Sequence, residues 1–306
     1  PMSAGRLETF AETPYLYFLR YVLGIESLDE PALDDEPWLS RLRRGTILHD
    51  TFEAFMERLK KRGERPTREH EPLLREVLGE TLQDAIDTVA PPSPVVEESA
   101  RRQLLHDALV FLRSEAEHCQ THEPCSFEIG FGYGPYRRKE KDLGDVSLSV
   151  DGQRVPLRGR IDRVDRRPGG ALAIWDYKTG STSSYEEDEP LKQGAQLQWA
   201  LYAYALEELE GETVARSGYY FTSAAEMATR LTFDPSRYRR DVERHLKALS
   251  DLARTGSFPM HPRARYLNAW TWRGYDRIFR SLKERSRQLK DKEVPDDRPV
   301  PPSFDA

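Results

Sequence analysis

Residues 159–180, GRIDRVDRRPGGALAIWDYKTG, decide how the rest of the chain is read. Two β-prone runs flank RRPGG at 166–170, whose proline and paired glycines mark a chain reversal. Alternation along a strand points Asp176 and Lys178 to the same face. With a connection of about five residues, the first strand folds back antiparallel and sets Asp162 opposite Asp176 on that face. Like charges directly across a ladder are destabilising, so carboxylates placed there share either a proton or a cation. A register slipped by one residue would instead leave Asp162 at the surface, paired with Arg160 or Arg163. Aspartate is unfavourable within a strand, yet here it stands on both strands, in company with a lysine. A hard divalent cation suits such oxygen ligands; it polarises a phosphodiester oxygen and lowers the pKa of bound water. Lys178 beside that water would position it or stabilise developing charge. In outline this is a hydrolytic phosphodiesterase site.

Outward from the hairpin, the N-terminal third reads as helix. Ile47, Leu48, Thr51, Phe52, Phe55 and Leu59 recur at helical spacing within residues 36–63, and Gly63 is a natural stop. More helix is expected to about residue 88. APPSP at 90–94 is a break, and a further helix is expected over 95–118. The acidic stretch 26–37 reads as loop, and TPYLYFLRYVLGIE before it as an aromatic segment that packs on the body. From 124 the texture changes to short β-prone runs with glycine turns: CSFEIGFGYG, VSLSVDG, RVPLRGRIDRVD and ALAIWDYKTG. A helix is expected over about 190–209, strands at ARSGYYFTS and ATRLTF, and helices over 235–255 and 273–289. The expectation is one α/β domain over 1–292, with a mainly helical part at 1–120 and the core and C-terminal helices at 121–292. The proline-rich residues 293–306 are expected to be a flexible tail.

Composition sets bounds on function. With 306 residues, 38% hydrophobic and 32% charged, the chain suits a globular protein with a real core. No apolar run approaches the ~20 residues of a membrane helix. The opening residues lack a signal peptide's layout, so the cytoplasm is the default expectation. There is neither a phosphate-binding P-loop nor a dinucleotide-binding glycine pattern, so any ATP-driven motor lies elsewhere. The formal charge is −6, but residues 261–292 hold ten Lys or Arg against three acids. Such asymmetry points to nucleic acid, or to a solvated helix face balanced elsewhere. The first reading makes Arg263, Arg265, Arg273 and Arg277 candidate DNA-phosphate contacts.

These motifs together resemble the PD-(D/E)XK nuclease superfamily, and within it the RecB/AddB-type nuclease domains of bacterial helicase–nuclease recombination enzymes. Asp162 followed by DYK matches the defining motif, and GRIDRVD and WDYKTG are similar to that branch's second and third motifs. LQWALYAYAL resembles its Q-x-x-x-Y motif, RGTILHDTFEAF its G-x-x-x-H motif, and FEIGFG its first core strand. The likeness runs from about residue 5 to 280 with the motifs in order. It implies a restriction-endonuclease-like fold, a central mixed β-sheet flanked by helices. It further implies His49, Asp162, Asp176 and the Tyr177 carbonyl as ligands of magnesium or manganese, and Lys178 as the catalytic lysine. Gln198 and Tyr202 would support the site or contact the DNA backbone. Glu128 and Glu53 fall at positions often acidic in the family. The implied activity is DNA hydrolysis, exonucleolytic rather than endonucleolytic, in partnership with a helicase domain or subunit, and the early start of the likeness suggests an excised domain.

Two other functions compete. A nuclease fold that only binds DNA would have lost its acids or lysine, all of which stand here. A glycoside hydrolase would need two carboxyls flanking a sugar cleft, and would leave Lys178 and His49 without roles. One departure from the family concerns the four cysteines that bind an iron–sulfur cluster in many AddB-type domains. The first would fall at Thr13 and the others within YLNAWTWRGYDRI, and none is cysteine; Tyr15, Phe18, Trp270 and Trp272 are candidates to hold those segments by packing instead. Cys119 and Cys125, the chain's two cysteines, cannot supply four thiolates. Purified protein is therefore expected to be colourless; stoichiometric iron with acid-labile sulfide in a fresh preparation would contradict this.

Overall fold

A computed structural model describes residues 1–25, 37–134 and 141–259. Residues 260–306, which carry Arg263, Arg265, Trp270, Trp272, Arg273, Arg277 and the helix expected over 273–289, lie outside the described residues. Among the described residues no helix is long and apolar enough to cross a membrane. The chain divides into two compact units.

The smaller unit gathers described residues 2–25, 191–197 and 241–259. It opens with a two-residue strand β1 (Met2–Ser3), helices α1 (Ala4–Glu12) and α2 (Pro14–Tyr17), and a π-turn over Phe18–Val22. Leu7, Phe10, Leu16 and Leu19 are buried. Phe10 stacks on Tyr17 at 4.4 Å between centroids, and Phe258 closes on Phe18 at 4.9 Å and on Phe10 at 5.6 Å. Tyr15 and Phe18 lie 6.4 Å apart between ring centroids. Segment 191–197 is tied to α1 by the Leu197 N–H donating to Glu8 Oε1 at 2.8 Å. The helix expected from about 190 does not begin there: Gln193 and Gly194 have φ of 52° and 91°, a left-handed break that an α-helix cannot contain.

The larger unit gathers described residues 37–134, 141–190 and 198–240. Helix α3 (Arg41–Arg62) starts behind Ser40, whose hydroxyl accepts from the Arg43 N–H, and stops at Gly63 with φ 68°. Helices α4 (Glu71–Thr88) and α5 (Pro94–His118) follow, α5 capped by Ser93 in the same way. Strands β2 (Glu123–Phe131) and β3 (Val146–Val150) both pair antiparallel with the long β4 (Gln153–Arg166). Strand β4 turns back through residues 167–171 into β5 (Leu172–Lys178), the hairpin read from the sequence. Next to β5 lies β6 (Val214–Phe221), parallel to it, and β7 (Arg230–Phe233) pairs antiparallel with β6. Parallel neighbours need a crossover, and α6 (Gln198–Glu210) supplies it. Helix α7 (Pro235–Arg254) begins in this unit. The sheet is thus mixed and flanked by helices.

Helices α3, α4 and α5 cover one sheet face with a core in which Phe52 stacks on Phe111 at 3.9 Å and Trp175, Tyr177 and Tyr220 rise from the strands. Helix α6 packs with β6, its Trp199, Ala200 and Ala203 are buried, and Ser217 Oγ donates to the Trp199 carbonyl at 2.6 Å. Five polar side chains also meet inside this unit. Arg163 pairs with Glu115 at 2.5 Å and Asp165 at 2.6 Å, all three side chains at 0% exposure. Arg230 reaches Glu115 at 2.6 Å, and His118 reaches Asp165 at 2.7 Å. Trp175 Nε1 donates to Asp165 at 2.9 Å. Burial alone would raise both carboxyls, but Arg163 together with Arg230 at Glu115, and Arg163 together with His118 at Asp165, outweighs it, so both lie below the ordinary range.

Groups depressed in the folded state contribute stability above their unfolded pKa and lose it as pH falls toward the folded value. Urea midpoints should therefore fall below about pH 4, where unfolded carboxylates take up protons. Glu115→Gln should be less stable at pH 7, since it strands Arg163 and Arg230, and its stability should depend less on pH between 4 and 2. A Glu115→Gln protein with the parent's acid profile would count against this origin.

Candidate metal centre

The hairpin register follows from the turn. Arg163 pairs with Trp175 and Val164 with Ile174, so the next step along the ladder places Asp162 across from Asp176. On the other side of β4, the pairs Phe127–Arg163 and Ile129–Ile161 bracket Glu128 and Asp162. Three neighbouring strands therefore each bring one carboxylate to the same row. Glu128 itself has φ 50°, a left-handed backbone uncommon outside glycine and asparagine. Arg160 secures it, Nη1 donating to the Glu128 carbonyl at 2.6 Å, with Nε 3.9 Å from its carboxylate.

Helix α3 delivers His49 over the row. His49 Nε2 lies 3.1 Å from the Tyr177 carbonyl oxygen, and Nδ1 lies 3.6 Å from Asp162 Oδ2. The Tyr177 N–H donates to that same Asp162 oxygen at 2.7 Å. Ligand atoms from His49, Glu128 and Asp162 all fall within 4.8 Å of one another. Lys178 forms an ion pair with Asp176 and donates to Gln198 Oε1 at 3.2 Å, while Gln198 Nε2 donates to the other Asp176 oxygen. Lysine, aspartate and glutamine thus close a triangle between β5 and the first residue of α6.

Tyr202, one turn further along α6, is buried at 8% exposure. Its ring crosses Phe131 edge-on at 5.6 Å and lies against Gly159, where an added Cβ would come within 2.6 Å of the ring. Gly159 is glycine because this crossing of β4 and α6 leaves no room for a side chain. Among the partners of the Tyr202 hydroxyl are the Gln198 side chain and the Arg160 backbone. Tyr202 is a buried buttress here. Glu53 is paired with Lys141, which it shares with Glu57.

The electrostatics follow from crowding carboxylates out of water. Burial, then the charges of Asp176 and Glu128, push the Asp162 carboxyl well above its usual range. Burial and neighbouring Glu53 push Glu128 up to about 7. Burial, assisted by Lys178, lowers His49 and keeps its imidazole neutral, the form that ligates. Burial acts to lower Lys178, but the charge and hydrogen bond of Asp176, with the charges of Tyr185 and Asp162, together override it and hold the ammonium protonated.

A divalent cation fits this donor set. Three carboxylates meet two cations, Lys178 and Arg160, which leaves negative charge unbalanced; a neutral imidazole nitrogen and a main-chain carbonyl complete a set of mostly hard donors. His49 Nε2 and the Tyr177 oxygen, 3.1 Å apart, are near enough to each other that both would reach a single ion. Glu128 was legible as an acidic position in FEIGFG, but only the β2–β4 register brings it beside Asp162. Arg163 and Asp165, in the same GRIDRVD run, face the helical core instead.

Comparisons with known proteins place the chain in a family. The model of the PD-(D/E)XK nuclease superfamily matches residues 1–266. An ATP-dependent helicase/deoxyribonuclease subunit of Clostridium tetani is 27% identical over 68% of this chain and 18% of its own length. Its counterpart of the same name in Streptococcus mutans is 28% identical over 60% of the chain and 14% of its own length. The exonuclease/helicase subunit RexB of Streptococcus pneumoniae is 27% identical over 59% of the chain and 15% of its own length. The chain thus matches less than a fifth of the length of these relatives. A hairpin carrying Asp162, Asp176 and Lys178, with His49 and Gln198 brought in by flanking helices, lies inside the span the family model covers, and the chain belongs to the PD-(D/E)XK nuclease superfamily.

Proposed function

We propose that this chain is the nuclease module of a helicase–nuclease, hydrolysing phosphodiester bonds of DNA with magnesium or manganese and working from DNA ends. The observation that carries the proposal is the hairpin register, which sets Asp162 and Asp176 one step beyond the Arg163–Trp175 pair, with protonated Lys178 on Asp176. The relatives are named as helicase/deoxyribonuclease and exonuclease/helicase subunits, which supports the choice of DNA, of a helicase partner and of an exonucleolytic mode.

His49, Glu128, Asp162, Asp176 and the Tyr177 carbonyl would hold the cation. When bound, it would supply Lewis acidity toward a phosphate oxygen and a more acidic water. The remaining roles belong to the side chains. Lys178, kept cationic by Asp176, is suited to stabilising charge that develops on the attacked phosphate and unsuited to removing a proton. Gln198, bridging Lys178 and Asp176, fixes both against the sheet. Tyr202 holds β4 at Gly159, next to the strand position of Arg160. The arginines at 263, 265, 273 and 277 remain candidates for the DNA backbone.

Digestion of end-labelled linear and circular DNA with magnesium, manganese or EDTA tests the proposal. Cleavage should need the metal and favour linear substrates. Asp162→Ala and Asp176→Ala should reduce it to background, and Lys178→Ala by roughly 10²–10³-fold, each with an unchanged circular dichroism spectrum. Retained cleavage in purified Asp176→Ala would sink the assignment. Thermal unfolding supplies an independent measure. A ligand that binds only the folded state stabilises by about 2.7 kcal/mol at a hundredfold excess over Kd, so manganese should raise the parent's Tm. Asp162→Asn relieves repulsion from Asp176 and Glu128 while still able to accept the Tyr177 N–H. Its Tm in EDTA should therefore exceed the parent's, and its gain with manganese should be smaller. Equal gains in both proteins would remove Asp162 from the ligand set.

A further inference from the structure

The buried ion network beneath the sheet has no part in the chemistry above, and it is expensive: four charged groups leave water where apolar side chains would pack more stably. Its position suggests its use. Along β4, Asp162 and Val164 face one way, and Arg163 and Asp165 the other. A strand buried on one face has its register specified by hydrophobic alternation. Strand β5 is instead buried at six consecutive residues, Leu172 to Tyr177, so its apolar pattern distinguishes the two faces poorly. Charge distinguishes them well. A one-residue slip would turn Asp162 toward Glu115 and carry Arg163 in among the carboxylates of the site. Neutral Trp175 adds a directional contact, its indole N–H on Asp165 spanning the β4–β5 pair.

A direct link joins the network to the site. Arg163 Nη1 lies 3.5 Å from the Tyr177 hydroxyl. The same tyrosine offers its N–H to Asp162 and its carbonyl to His49. Tyr177 is thus held at its ring tip from below the sheet and at its main chain from within the site, and its ring is wedged between Phe52, Phe111 and Tyr220.

We propose that Arg163, clamped between Glu115 and Asp165 on the far side of the sheet, is a positioning residue that sets the β4–β5 register and, through the Tyr177 ring, the placement of the Tyr177 main chain against Asp162 and His49. This rests on the reading of that cluster as a metal centre. The test is manganese affinity, measured from the free-ion electron paramagnetic resonance signal at a temperature where near-ultraviolet circular dichroism shows every protein folded. The triple variant Arg163→Met/Glu115→Gln/Asp165→Asn removes the charges but keeps an acceptor for Trp175 and His118, and leaves Arg230 its contact with Ser114. It should fold and bind manganese roughly 10–100-fold more weakly, the loss typical when groups behind a ligand are removed. Tyr177→Phe keeps the main-chain amide and carbonyl and deletes only the hydroxyl that Arg163 reaches. It should show a smaller loss in the same direction. A role confined to stability would lower Tm in both and leave Kd unmoved, and that result overturns the proposal. Should the triple variant fail to fold, an unchanged Kd in Tyr177→Phe overturns it alone. A parent protein that binds no manganese overturns the metal reading itself, and the positioning role with it; a parent that binds, with variants that bind equally, removes the positioning role only.

Discussion

Three carboxylates, Glu128, Asp162 and Asp176, stand abreast on three paired strands, and their mutual repulsion is the constraint around which this molecule is arranged. Left in water they would separate. The sheet prevents that, because each is fixed to a backbone whose hydrogen bonds and buried neighbours cost far more to disturb than the repulsion costs to tolerate. Lys178 offsets part of the charge from the adjacent turn of the pleat, and the Tyr177 N–H takes up one Asp162 oxygen. The remainder is an electrostatic deficit that a divalent cation satisfies, and it exists before any cation arrives.

The flanking helices have distinct duties toward that row. Helix α3 carries an apolar stripe, Ile47, Leu48, Phe52, Phe55 and Leu59, into the core, and the same periodicity leaves His49 at its edge, where it overlooks the strands. Helix α6 arises because two parallel strands cannot be joined tightly. Its first residue, Gln198, falls between Asp176 and Lys178, and Tyr202 one turn later closes on Gly159. Packing and chemistry are therefore carried by one set of elements, which is why the polar groups of the site have so little freedom to drift.

Charge is handled differently on the two faces of the sheet. On the helical face every buried charge has an opposite partner within hydrogen-bonding distance, with Arg163 and Arg230 set against Glu115 and Asp165. On the site face the negative groups outnumber the positive. A balanced network is rigid and inert, whereas an unbalanced one has affinity to spare. The strand sequence Asp162-Arg163-Val164-Asp165 feeds both, sending alternate residues to opposite sides.

How much of this was legible in the chain itself depended on range. The hairpin, its five-residue turn and the facing of Asp162 and Asp176 followed from local rules, since a strand alternates with period two and PGG reverses it. The amphipathic stripe of α3, the stop at Gly63, and the order of helices and strands were readable on the same grounds. The start of α6 was not: the run from residue 190 has helical composition, but Gln193 and Gly194 adopt left-handed backbone where the segment meets Glu8, Ala11 and His245. Nor could sequence show that Glu128 joins His49 and Asp162, that Tyr202 is a buttress within the packing, or that Arg163 is buried against Glu115, 48 residues away on a helix. Local alternation and turn chemistry determine which way a side chain leaves the backbone. Only the pairing of distant strands and the packing of helices across them decide what it meets there.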